Sequence, residues 1–372
     1  MKTRAVPGLL KQINEREVLE TIRARAPISR AEISRRAGIS KPTVSLALQS
    51  LVDCGLVREA ERGPDGPGYG AVYFEPVPEA ALVLGLDLGA RFVRGALCDL
   101  NGVVRARQDV ELQVADAAEA VEAGERLRAA LLAAAELDAE LVDGVVVGVP
   151  GVPDPDGGVV HLAENVTGLE GRAFGAELEQ ALGLPVTLEN DINLAALGEQ
   201  WQGVARGVDD FVFLSVGTGM GAGIVLGGEL HRGRHGAAGE VDFALAGLDG
   251  SVDPSAPQVA ALAGGGSDAR AVFGAAREGD AAARDVVDEV ARRIALNAAP
   301  IAAVADVELV VLGGGIGANG DLLLDPVERR LREWLPFPPR VEVSTLGDAA
   351  ILTGALAVGL QTARENVFSI RT

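Results

Sequence analysis

The chain has 372 residues, 48% hydrophobic and 23% charged, which is enough for two or three domains with sizeable cores and excludes wholesale disorder or a fibrous protein. Aromatic residues make up only 3% against 48 glycines, a mix that suits an α/β protein with many tight turns better than an aromatic-rich β-sandwich. The net charge of −20 argues against a nucleic-acid binder until its distribution is read: residues 1–62 hold 12 Lys+Arg and 7 Asp+Glu, whereas residues 63–372 hold 21 and 46.

All the lysines (Lys2, Lys11 and Lys41) lie in the basic first segment. Such asymmetry is the pattern of a nucleic-acid-binding module on an acidic body. Two cysteines, Cys54 and Cys98, are too few for a disulfide framework, and no cluster has metal-ligand spacing. The opening residues carry no long apolar stretch, and no window long enough to span a bilayer is free of charge. A cytoplasmic protein with no membrane partner is expected.

Three helical stretches open the chain. The first is expected to begin near Asn14, with Glu17 three residues on and Val18, Leu19 and Ile22 as its apolar face. The second begins at Ser29, whose partner in a capping box is Glu32, and stops at Gly38. The third begins at Ser40, with Pro42 tolerated in the first turn and Val44, Leu48, Leu51 and Val52 as its buried stripe. Two short helices joined by a glycine turn make a helix-turn-helix, whose second helix enters the major groove. Ser40, Lys41, Thr43, Ser45 and Gln49 lie off the stripe and suit phosphates and base edges. Strand-like runs Leu56–Ala60 and Ala71–Glu75 flank a Gly/Pro tip, which reads either as the wing of a winged helix or as a linker. Arg62 at that edge is placed to reach a phosphate or the minor groove.

From Ala81 the texture changes to apolar strands with interposed helices and glycine-rich strand ends. Two strand runs surround a bend at Asp87 and Gly89, and a helix follows over about Ala117–Leu137. A further strand ends at Val149-Pro150-Gly151, and a loop carrying Asn165 follows it. The strand Val186–Glu189 leads through Asn190 and Asp191 into a helix. The strand Phe211–Val216 runs into Gly217-Thr218-Gly219-Met220-Gly221, and Leu309–Leu312 runs into Gly313-Gly314-Gly315. An Asp in a glycine turn can organise a metal and phosphates, and glycine turns can cradle phosphates. An Asp at a helix start can accept a proton or hydrogen bond from a substrate hydroxyl. Taken singly, each also reads as a tight turn or a cap.

Their order resembles that of the ROK family (repressor, open reading frame, kinase). The matching segments are Asp87-Leu88-Gly89-Ala90-Arg91-Phe92, Gly148-Val149-Pro150-Gly151, Asn165 in its loop, Glu189-Asn190-Asp191-Ile192-Asn193, Gly217 through Glu240, and Gly313–Gly315. The resemblance covers nearly the whole chain, including the winged helix-turn-helix that the family's repressors carry in front. It implies an α/β fold: a DNA-binding domain over residues 1–76, then a two-lobed actin/hexokinase-like (ribonuclease H-like) sugar-kinase body. The expected lobes are 80–195, with a C-terminal helix over about 350–372 packing back on it, and 196–349.

Departures from the family pattern are as informative. Where the kinases have Gly, Thr and Lys serving ATP phosphates, this chain has Ala90, Arg91 and Phe92. The His that usually binds zinc or sugar is replaced by Phe243, after Asp242, and the Cys cluster of zinc-bearing members is absent. No cofactor is therefore expected, neither zinc nor ATP. The leading expectation is a sugar-responsive transcriptional regulator, a repressor, that binds a sugar without phosphorylating it. Asn165, Asn190, Asp191 and Glu240 would line its pocket, with Asp191 at the kinase base position. Its partners would be a palindromic operator with two half-sites, a sugar effector and further copies of itself, as a homodimer or dimer of dimers. Two alternatives are an ATP-dependent sugar kinase with an appended DNA-binding head and a scaffold whose body binds a protein.

Overall fold

The computed structural model describes residues 7–61, 72–154, 158–163, 165–243 and 252–371. The head contains α1 (Pro7–Arg25), β1 (Ile28–Ser29), α2 (Arg30–Ala37), α3 (Lys41–Asp53), β2 (Val57–Glu59) and β3 (Tyr73–Pro76). Helix α1 starts a full two turns before Asn14, because the intervening Leu, Lys and Gln residues favour helix and nothing breaks it. The Asn14–Glu17 pair is therefore interior and caps nothing. The other two starts form as the residues suggest. The Ser29 hydroxyl accepts the Glu32 N–H (3.3 Å), Gly38 closes α2 in the left-handed region (φ 67°), and Ser40 accepts the Thr43 N–H (3.4 Å). A three-stranded sheet in the order β1-β3-β2 completes a winged helix-turn-helix. The wing tip, including Arg62, lies outside the described residues.

The body begins with β4 (Leu82–Leu88), β5 (Phe92–Asp99), β6 (Val104–Glu111), α4 (Ala117–Ala135), β7 (Val142–Val149), β8 (Val152–Pro153), β9 (Val160–His161), α5 (Phe174–Leu182), β10 (Val186–Asn190) and α6 (Asp191–Gln202). It continues with β11 (Phe211–Val216), β12 (Met220–Leu226), β13 (Glu229–Leu230), α7 (Ala256–Leu262), α8 (Ala269–Glu278), α9 (Ala281–Ala305), β14 (Leu309–Gly313), α10 (Gly314–Gly317), α11 (Gly320–Trp334), β15 (Arg340–Val343) and α12 (Ala350–Arg371). Two five-stranded sheets result, ordered β10-β7-β4-β5-β6 and β13-β12-β11-β14-β15. In each, three strands form an antiparallel meander and two more join in parallel beside the first. The two lobes thus share one topology.

Two helices exchange partners between the sheets. Helix α6 follows the first sheet, yet its Ala195 and Ala196 share a core with Phe211, Phe213, Val225 and Val311 of the second. Helix α12 follows the second sheet, yet Leu352, Leu356 and Leu360 pack with Val83, Ala96 and Cys98 of the first. Where the helices cross, a methyl group on Gly198 would run into the Ala350 carbonyl, and one on Gly354 into the Leu194 carbonyl. Only glycines permit so close a crossing. A lobe boundary at 195/196 therefore falls inside α6, which is apolar towards α12 as well as towards the second sheet. The head is continuous with this framework: one apolar cluster runs from Val18, Leu19, Ile22 and Leu56 through Ala80 and Ala81 to Leu356 and Phe368.

Candidate functional site

Strand β10 and helix α6 meet at Glu189-Asn190-Asp191, at the end of the parallel strand nearest the second lobe. Asn190 caps α6: its side-chain oxygen accepts the N–H groups of Ile192 and Asn193 (both 3.0 Å), and its amide donates to the Gly151 carbonyl (2.9 Å). One of the two amide N–H donors is thereby committed to structure, and the other is left for a ligand. Glu189, buried beside it, accepts from the Asn193 amide (2.9 Å) and from Arg232 of the second lobe (2.6 Å). This ion pair ties the two lobes together.

Asp191 occupies the first turn of α6 and accepts its own neighbour's N–H, from Ile192 (2.8 Å). Burial, reinforced by the negative charges of Asp87 and Glu240, pushes its carboxyl up to about 7. Glu240 is also raised, by burial and by Asp242, and Asp242 by burial and Asp253. Asp191 thus lies within electrostatic reach of Asp87 and Glu240, a set of acceptors suited to a polyhydroxylated ligand. Phe243, at the position of the family's His, is 62% exposed. Asn165 is exposed in the loop between β9 and α5, and no hydrogen bond joins it to Asp191 or Glu240 among the described residues. No three His, Cys, Asp or Glu side chains gather into a metal-binding set among the described residues.

The first phosphate motif is changed in a way the motif alone does not display. Asp87 is only 2% exposed, and Arg94, its direct cross-strand partner on β5, donates to it at 3.0 Å. Burial raises the Asp87 carboxyl and Arg94 opposes that rise. The Gly89 N–H donates to the Phe92 carbonyl (2.9 Å), closing the hairpin over Ala90 and Arg91. Arg91 points away along the sheet, pairing with Glu111 (3.1 Å). Arg94 and Arg232 were not singled out from the sequence, and Glu189 stood there only as the first residue of a matching segment. Arg94 carried a signal, since a tight turn after Asp87 sets it opposite, whereas the Glu189–Arg232 pair depends on lobe packing.

The other glycine turns come together. A methyl on Gly217 would lie 3.7 Å from the Gly315 nitrogen, and Thr218 and Gly219 are exposed. Gly314 adopts φ 76°, and a methyl there would run into the Val216 carbonyl, so no other residue fits. Gly313 lies over the Phe213 ring. Gly221 belongs to none of these turns: it is buried in β12 under Ile192 of α6.

On the head, Lys41 is exposed and makes no ion pair among the described residues. Thr43 is half-buried with its hydroxyl against that of Ser40 (2.8 Å), and the Ser45 hydroxyl donates to the Lys41 carbonyl (2.9 Å). Gln49 donates to Asp53 (2.7 Å). Ser40, Thr43 and Ser45 thus order the start of α3, while Lys41 and Gln49 stay on its exposed face.

Comparison with known proteins agrees with this layout. The sequence matches the ROK family over residues 83–252 and 254–362, and the MarR family over residues 12–66. It is 28% identical over 389 residues to the xylose repressor of Caldicellulosiruptor bescii, spanning 94% of this chain and 96% of that protein. It is 31% identical over 255 residues to the glucokinase of Halalkalibacterium halodurans, spanning 59% of this chain and 76% of that protein. The crystal structure of a ROK family transcriptional regulator, a homologue of the E. coli MLC protein, superposes with a TM-score of 0.78 at 25% identity, covering 97% of this chain and 98% of that one. Matched from the first strand of the body into its last helix, the chain belongs to the ROK family.

Proposed function

We propose that this chain is a sugar-responsive transcriptional repressor, whose head binds operator DNA and whose kinase-like body binds a sugar without phosphorylating it. The observation that carries this reading is the Asp87–Arg94 pair beneath a hairpin of Ala90, Arg91 and Phe92. A carboxylate neutralised by a guanidinium is poorly placed to organise a metal–nucleotide complex, while Asp191 and Glu240 remain as acceptors for sugar hydroxyls. Zinc and ATP are accordingly not part of the proposal. A relative that spans nearly the whole chain is a xylose repressor, so xylose is the first sugar to test.

Two heads would read two half-sites of a palindromic operator, in a homodimer or a dimer of dimers. Such a regulator works in the cytoplasm. Among the described residues, no helix is long and apolar enough to cross a membrane. The second reading, an ATP-dependent sugar kinase with an appended head, is favoured by the glycine turns 217–219 and 313–315, which lie side by side. ADP release from ATP in the presence of xylose and a panel of hexoses separates the two. The repressor reading expects background release only, and sustained turnover would replace it with the kinase reading.

A further inference from the structure

Helix α3 buries Val44, Ala47, Leu48 and Leu51, and turns Lys41, Pro42, Leu46, Gln49 and Asp53 outward. In the middle of that outward line stands Leu46, 75% exposed, the most exposed apolar side chain described in the head. Polar side chains around it are already engaged: Ser45 with the Lys41 carbonyl, Thr43 with Ser40, Gln49 with Asp53. What this face offers a partner at its centre is therefore a pair of methyl groups. The flanking charge decides what kind of partner fits. Among the described residues Lys41 pairs with no carboxylate, and the head is the basic part of an otherwise acidic chain. A polyanion with apolar groups in its groove answers both features, and in the major groove of DNA the thymine C5-methyl is the one apolar group a base pair displays.

We propose that Leu46 is a specificity-determining residue that reads a thymine methyl in each operator half-site. This rests on the reading that the head binds DNA. Packing Leu46 against the methyl removes both from water without requiring any hydrogen bond, so it discriminates T·A from the other pairs by shape and hydrophobicity. From the sequence, only polar and charged residues of this helix stand as base and phosphate contacts, and Leu46 is not among them.

The test uses the full chain. An operator is first selected from randomised duplex DNA. Each thymine in it is then replaced in turn by deoxyuridine, which differs only by the missing methyl. The wild type should lose about three- to fivefold in affinity at one thymine per half-site, the effect of one buried methyl group. Leu46→Ala should bind the thymine and deoxyuridine operators equally, with the same salt dependence as the wild type, because no phosphate contact has changed. The exposed position leaves the core intact, and the unchanged salt dependence confirms a folded head. A selected operator with no methyl-sensitive thymine, or methyl sensitivity that persists in Leu46→Ala, overturns the proposal alone. A selection that enriches no sequence overturns the DNA-binding reading and the proposal with it.

Discussion

Asp87 and Arg94 show how one side chain changes the meaning of a motif. In this chain the buried acid has a resident cation, supplied by the next strand. Removing one partner of a buried pair leaves an uncompensated charge. Arg94→Ala should cost about 2–3 kcal/mol of stability, somewhat less than a fully buried pair because Arg94 is 25% exposed. Adding Asp87→Asn should restore most of it, as read by urea denaturation of the single and double variants. Equal stability of wild type and Arg94→Ala would show that the pair is incidental. Asp191 provides a pH test. Its carboxyl sits at about 7 against an ordinary 3.8, so the folded state holds a proton that the unfolded chain has already released. The stabilisation is complete below pH 4 and is lost as pH rises through 7. Asp191→Asn should flatten that decline and gain roughly 1–2 kcal/mol at pH 8, the full shift being discounted for a half-buried group. Melting curves from pH 4 to 8 with identical slopes for both proteins would contradict it. At this scale the sequence placed Asp87 beside a strand turn and Asp191 at a helix start, where the structure has them. The capping role of Asn190 was not legible, because an amide serves equally as a cap or a ligand donor until the backbone around it is known.

The helix starts at Ser29 and Ser40 were legible because caps are local chemistry, and the strands because apolar runs between turns are local too. The partner exchange of α6 and α12 was not. Both are rich in alanine and leucine, and periodicity shows which face is apolar without saying which sheet covers it. The start of α1 was misplaced for a related reason: a plausible capping pair in sequence is silent when the preceding residues are helical as well. The crossing at Gly198 and Gly354 gives the exchange a direct test. Gly354→Ala places a methyl against the Leu194 backbone, which has no rotamer to give way, and should destabilise the chain by about 2–3 kcal/mol. A nearby exposed substitution, Thr362→Ala, should change stability by less than about 0.5 kcal/mol. If both variants melt with the wild type, the helices do not cross as closely as described.

For the whole molecule, the central question is how a cleft in the body speaks to a head at one end of the chain. Three features connect them. The Glu189–Arg232 pair links the lobes next to Asp191. Helices α6 and α12 are locked at their glycine crossing. A cavity of about 800 Å³ is lined together by Arg16 and Leu19 of α1, Trp201 of α6, Glu229 of the second lobe and Phe368 of α12, so the head touches elements that must shift if the lobes close. A ligand that favours one degree of closure would thereby bias the placement of the head on DNA. The shared topology of the two lobes was not visible as a sequence repeat, because the same strand order tolerates different residues and insertions. The order of the motifs nevertheless carried the fold. The most direct test is operator affinity with and without xylose, or another sugar that binds the body, for wild type and Asp191→Asn. Sugar should change the operator Kd of the wild type. Asp191→Asn should bind the operator as tightly, bind the sugar about tenfold to a hundredfold more weakly for want of a charge-assisted hydrogen bond, and lose the response. A full response in Asp191→Asn would place the effector outside the cleft and contradict the account.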